Sequence, residues 1–263
     1  MYRAGSVETN GGMMREDPLM EDIVMDGQGD APQGATVAEA GSVPPAPRGP
    51  LDRDEDLIRD AVLRMGALVE AAIRAASRAL VAHDAAMALD VVKSDAVIND
   101  AQRELSRLIS VTIATQQPVA RDLRYLMTLD HVTYELERIA DHAASVAKAV
   151  IKLAPHPPLQ QYVHLPEMAE RAAVLVHGVL LALVDSNADK AREIAVQDDE
   201  IDRLYHATFD EVVELMRADP ANVERGTRIV IASHYLERIG DRATNIAEDV
   251  VYLVTGDVED LNP

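Results

Sequence analysis

Cysteine is missing from all 263 residues, which removes disulfides, thiolate zinc sites and cysteine nucleophiles together. That absence fits a reducing cytoplasm, where the chain is expected to reside. Tryptophan is also missing and aromatics make up only 3% of residues. Ala, Leu, Val and Ile carry the apolar content instead, a composition that suits helices packed on helices and not a β-sandwich. No apolar run reaches the roughly eighteen residues that a bilayer-spanning helix requires. The N-terminus has no apolar stretch behind a basic one, so no secretory signal is expected. Basic residues are scarce, 25 against 45 acidic, for a formal net charge of -20. Such a chain is repelled by nucleic acid and by anionic lipid, and neither is expected as a partner. Gly-rich phosphate loops, a nucleophile elbow and a Glu-x-x-His ligand pair are absent as well.

What remains is a chain that is 48% hydrophobic and long enough to bury a substantial core. Residues 1–50 stand apart: Gly and Pro cluster, as in Gly41-Ser42-Val43-Pro44-Pro45-Ala46-Pro47, without a sustained apolar period. They read as a disordered acidic tail. From Leu51 onward the apolar pattern is helical. A first helix is expected over about 53–82, with Leu57, Val62, Met65, Leu68, Val69, Ala72 and Ile73 on its apolar face. Asp84 is placed to cap a second helix over about 85–115, and Pro118 to open a third that runs to about Leu153. After Ala154-Pro155-His156-Pro157-Pro158, helices follow over about 166–185, 188–218 and 220–254, with Ser186 or Asn187 and then Asp219 as caps. The expected fold is all-α: six helices as two three-helix halves, 51–153 and 166–256. A linker at 154–165 joins the halves, and a short tail follows at 257–263.

An internal repeat supports the two halves. Leu136-Glu137-Arg138-Ile139-Ala140-Asp141 returns as Leu236-Glu237-Arg238-Ile239-Gly240-Asp241, an offset of 100 residues. Ala143, Ala147 and Val150 match Ala243, Ala247 and Val250 at the same offset. Duplication of a three-helix unit implies two halves that share an interface.

The repeated segment carries acids where chemistry could be done. Glu137 and Asp141 lie four apart on the third helix and face one way, as Glu237 and Asp241 do on the sixth. The preceding helices carry Asp95 and Asn99 in the first half and Asp198 and Asp202 in the second. An antiparallel hairpin turning at Pro118 sets Asn99 opposite Glu137 and Asp95 opposite Asp141. One turning at Asp219-Pro220 sets Asp202 opposite Glu237 and Asp198 opposite Asp241. Converging carboxylates repel unless protonated, solvated or bridged by cations, and facing helices with such clusters are how bundles hold di-iron and di-manganese centres. The all-oxygen donors suit Fe, Mn, Mg or Ca over copper, with zinc also compatible. A solvated acidic groove is the competing reading. His206, four after Asp202, is a further candidate for the second cluster, while Arg138 and Arg238 are expected to point away as packing cations.

These residues resemble the PhoU family, accessory and regulatory proteins of the phosphate-specific transport system. The family's Glu/Asp-x-x-x-Asp repeat on the third helix of each half reads here Glu137-Arg138-Ile139-Ala140-Asp141 and Glu237-Arg238-Ile239-Gly240-Asp241. The stretch from Gln116 through Arg124 resembles the family's turn into that helix, and the similarity spans about 53–254. Ala140, where the family motif usually has Gly, and Asn99, where the second half has Asp202, together imply a weaker first cluster. The resemblance implies a non-enzymatic, often dimeric cytoplasmic protein that restrains phosphate uptake and the starvation response when phosphate is plentiful. It implies contacts with the transporter's ATPase subunit and a sensor histidine kinase, and multinuclear iron or zinc clusters on the repeated motif; with the oxygen donors, the metal expected is Fe, Zn or Mn. A di-metal carboxylate enzyme and a metal-free helical scaffold are the alternatives.

Overall fold

The structure is a computed structural model that describes residues 49–159 and 164–262. The expected tail lies outside the described residues except for Gly49 and Pro50, as do positions 160–163 of the expected linker. Among the described residues there are no strands; helices α1 (Pro50–Ala82), α2 (Ala85–Gln116), α3 (Arg121–Leu153) and α4 (His164–Asp185) lead to α5 (Ala188–Ala195), α6 (Asp198–Ala218) and α7 (Val223–Thr255). No helix among them is long and apolar enough to cross a membrane.

Caps place the breaks largely where the sequence puts them. Asp84 accepts the amides of Ala86 at 2.7 Å and Met87 at 3.1 Å, satisfying donors that the first turn of α2 leaves free. Asn187 does the same for α5 through Lys190 N at 3.0 Å. Asp219 accepts from Ala221 N at 2.9 Å and starts the 3-10 turn Pro220–Asn222 that runs into α7. The other proline behaves differently. Pro118 stands before α3, because Gln117 and Ala120 both take positive φ, 51° and 45°, and the helix starts only at Arg121.

Two other expectations need correction. The helix expected over 188–218 is broken at Val196-Gln197 into α5 and α6, so Asp198 opens a new helix instead of sitting inside one. On α1 the core stripe is Ile58, Val62, Met65, Val69, Ile73 and Leu80, whereas Leu57 and Leu68 are 61% and 43% exposed. They sit about 100° off the stripe, the angle that one residue subtends on a helix.

Helices α1, α2 and α3 pack as one three-helix unit, and α4, the α5–α6 pair and α7 as the other. α3 and α7 form the most extensive seam, with α1 against α4 beside it. Val132, Leu136, Ile139, Ala143 and Val146 on α3, and Leu236, Ile239, Ala243, Ile246 and Val250 on α7, are fully buried in the core that these helices share. At roughly 1.5–3 kcal/mol for each large apolar side chain buried, this seam fixes where the flanking acids stand.

Candidate metal centre

In the second half, α6 and α7 bring Asp198, Asp202 and Asp241 together. One carboxylate oxygen from each lies within 4.8 Å of the others. The break before α6 puts Asp198 on the first turn of that helix, and it is only 3% exposed. Room for it comes from Gly240, because a Cβ there would stand 2.0 Å from Asp198 Oδ1. Thr244 Oγ1 donates to Asp198 Oδ2 at 3.4 Å, and Asn262 Nδ2 reaches the same oxygen at 3.4 Å. Glu237 joins the group electrostatically, since Asp241 and Asp202 both act on its carboxyl.

These carboxyls hold their protons more tightly than free ones. Burial, then Asp202 and Asp241, push Asp198 up to about 7. Burial, then Asp241 and Asp202, raise Glu237 to about 7 as well. Asp202 is raised by burial and by Asp241. Asp241 is raised by burial against the opposing pull of Arg238, Arg242 and His234. Concentrated carboxylates favour any cation that can replace the proton.

The first half assembles a quieter version. Asp95 is half-buried and accepts from Asn99 Nδ2 at 3.1 Å, so the two residues partly satisfy one another. Arg138 Nη1 donates to Asp141 Oδ2 at 3.3 Å, and its Nε lies 3.5 Å from Glu137 Oε2. Arg138 was expected to point away; its long side chain folds back over three residues and also covers the Tyr134 ring at 4.9 Å. Asp95 and Asp141 act on one another electrostatically, and burial followed by Asp141 raises the Asp95 carboxyl. Burial and then Asp141 raise Glu137. Arg238, by contrast, keeps its Nε 4.0 Å from Asp241.

Whether the residues fit a metal can be tested on their unsatisfied atoms. Asp198 Oδ1, Asp202 Oδ1 and Glu237 Oε2 are buried without a hydrogen-bond partner. Lone pairs are rarely left in that state unless an ion or water completes them. Two aspartate oxygens without a partner above a glycine that clears space, with Glu237 Oε2 beside them against His234 Nδ1, fit a cation. The donor set is oxygen, as Fe, Mn, Mg or Ca prefer, and it also accommodates Zn. The first half has orphaned Asp95 Oδ1, Asn99 Oδ1 and Glu137 Oε2, but it has one acid fewer and carries an arginine on the cluster.

Several contributors escaped the sequence reading. Thr244 carries a hydroxyl where the first half has Ala144. Asn262 arrives because the C-terminal segment folds back, tied by Arg192 to Glu259 at 2.6 Å and by Leu261 N to Glu248 at 2.9 Å. His234 Nδ1 lies 3.1 Å from Glu237 Oε2, and the i, i+3 spacing of His234 and Glu237 was a usable signal for it. His206 is exposed beside Tyr205 and stands outside the group of three.

A duplicated three-helix bundle with paired carboxylate clusters on the third helix of each half defines a class of helical accessory proteins. The profile described as PhoU domain matches residues 62–150 and 165–250, and this chain belongs to the PhoU family. It is 36% identical over 212 residues to a phosphate-specific transport system accessory protein PhoU homolog of Clostridium acetobutylicum, covering 80% of this chain and 97% of the relative. It is 37% identical over 206 residues to the homolog of that name in Rhizobium meliloti, covering 77% and 87%. The crystal structure of PhoU from Pseudomonas aeruginosa superposes with a TM-score of 0.76 at 34% identity, over 79% of this chain and 100% of that one. The phosphate transport system regulatory protein PhoU from Streptococcus pneumoniae gives 0.74 at 30% identity, over 80% and 99%.

Proposed function

We propose that the chain is a regulatory accessory protein of a phosphate-specific transporter, restraining uptake and the phosphate-starvation response when phosphate is plentiful. It is a binding protein and not an enzyme, in keeping with its family. The observation that carries this reading is the match of both halves to one family whose curated members are named for phosphate-specific transport. In this reading the chain works in the cytoplasm as a homodimer. It meets the transporter's ATPase subunit and a sensor histidine kinase.

Asp198, Asp202, Glu237 and Asp241 are the residues that would hold an iron, zinc or manganese ion, supported by the convergence of Asp198, Asp202 and Asp241 and by the unpartnered oxygens of Asp198 and Asp202. Asp95, Asn99, Glu137 and Asp141 form the lesser counterpart. A bound cation would supply positive charge on an otherwise acidic face. The protein's own part is positional: Gly240 clears the space, while Thr244 and Asn262 orient Asp198.

The test is phosphate uptake and starvation-gene expression in cells lacking the chain, grown in excess phosphate. The expected result is constitutive uptake and expression, restored by the intact gene. Unchanged repression in the deletion strain overturns the regulatory reading.

A further inference from the structure

The α3–α7 seam is antiparallel, and the repeat relates its two ends, so a residue on α3 has its counterpart 100 positions on in α7. At one end the chain fills the seam with its own carboxylate. Glu135, only 2% exposed, accepts from Arg242 Nη1 at 3.2 Å and from Asn245 Nδ2 at 3.3 Å. Beside it His131 Nδ1 pairs with Asp249 Oδ2 at 2.6 Å.

At the other end each counterpart is one or two charges more positive. Tyr235 replaces Glu135, Lys148 replaces Glu248, Lys152 replaces Tyr252, and Arg228 replaces Thr128. With Ser145 and Ile231 these side chains line a cleft of about 270 Å³ that no carboxylate lines. In a chain of net charge -20, that is a local inversion of the field. Lys148 and Lys152 make no salt bridge among the described residues; Lys148 acts on Asp95 only as a neighbouring charge. Arg228 Nη2 holds Glu224 at 3.0 Å, while its Nε is buried without a partner. Ser145 gives its proton to Asp141 O at 2.9 Å, so it shapes the wall without donating.

Where the pseudosymmetric end holds an internal carboxylate, this cleft is lined by cations and by no carboxylate. Arg228 is largely balanced by Glu224, which leaves about two positive charges for a ligand and favours a dianion over a single carboxylate. We propose that this cleft binds a phosphate-type oxyanion, held by Lys148, Lys152, the free Arg228 Nε–H and the Tyr235 hydroxyl. The lining includes none of the cluster carboxylates, and binding does not depend on metal there.

Calorimetric titration of the full chain, as isolated and after chelator treatment, tests it with inorganic phosphate, phenyl phosphate and acetate. Saturable binding of one phosphate-type ion per chain, stronger than acetate and equal in both preparations, is expected. Inorganic phosphate binding alone identifies a free ion as the ligand; preference for phenyl phosphate identifies a phosphoryl group on a larger molecule. The double variant Lys148→Ala/Lys152→Ala should weaken binding about tenfold or more, as loss of charge-assisted hydrogen bonds does. Lys148→Arg should retain binding. The charge-matched Lys93→Ala/Lys190→Ala should bind like the parent. Both lysine pairs are on the surface, and unchanged circular dichroism verifies folding. No binding of either phosphate-type ion, equal loss in the charge-matched variant, undiminished binding in Lys148→Ala/Lys152→Ala, or loss on chelation each overturns the proposal.

Discussion

In the first half Asn99 stands four residues after Asp95 and donates to it, and Arg138 folds onto Asp141. In the second half Asp202 stands four after Asp198, and Arg238 stays 4.0 Å from Asp241. Ala140 and Ala144 line the first cluster; Gly240 opens space in the second and Thr244 donates a hydroxyl there. One helical template thus gives a three-acid cluster braced by Asn99 and Arg138, and a four-acid cluster whose aspartates keep buried oxygens without a hydrogen-bond partner. A handful of side chains, and the break between α5 and α6 that has no counterpart in α2, set the two clusters apart.

The largest expected effect comes from emptying the second cluster. Saturating Mn²⁺ or Zn²⁺ should raise the unfolding temperature of the parent, since a ligand that binds only the folded state stabilises it. That rise should vanish in Asp198→Ala/Asp202→Ala; a full rise there would place the ion elsewhere. Gly240→Ala comes next. Its Cβ would stand 2.0 Å from Asp198 Oδ1, so metal affinity measured by competition with a chromogenic chelator should fall about tenfold or more. Overpacking should also cost about 1–3 kcal/mol of stability in a denaturant titration.

The reciprocal exchange sharpens the comparison from the other side. Asn99→Asp/Ala140→Gly/Ala144→Thr should give the first half a measurable second binding event, visible as added stoichiometry. If no such event appears, the contrast between the halves lies outside these three positions.

Acidity supplies a subtler test. The carboxyls of Asp198 and Glu237 sit at about 7 when folded, above their range in an unfolded chain. Below that unfolded range both states are protonated, and the contribution of these groups to folded-state stability is complete and independent of pH. Between it and about 7 the folded state binds more protons, so their contribution to metal-free stability declines as pH rises and levels off beyond. The metal-loaded protein should behave oppositely, losing affinity on acidification because ligands must shed protons. Melting curves at several pH values, with and without metal, would show the two slopes; parallel slopes would contradict the picture.

Much of this contrast was legible in the sequence, because it is written in local spacing. The Glu-x-x-x-Asp pairs, the capping residues Asp84, Asn187 and Asp219, and the substitutions Asn99 and Ala140 all act within a few residues of themselves. What was hidden depends on tertiary contact. Nothing in Ala195-Val196-Gln197-Asp198 is a helix breaker, so the break that seats Asp198 is imposed by packing. Asn262 reaches Asp198 from 64 positions away through a returning segment. Leu57 and Leu68 look like core because a residue one step from the stripe satisfies the same composition. The return of Arg138 is a rotamer choice, which spacing alone does not dictate.

The most direct measurement is elemental analysis of the dialysed protein, purified without chelator or affinity tag, beside Glu237→Ala and Glu137→Ala. The account predicts stoichiometric iron, zinc or manganese in the parent, a marked loss in Glu237→Ala and near-parental content in Glu137→Ala. Equal metal in all three, or metal lost only from Glu137→Ala, would contradict it.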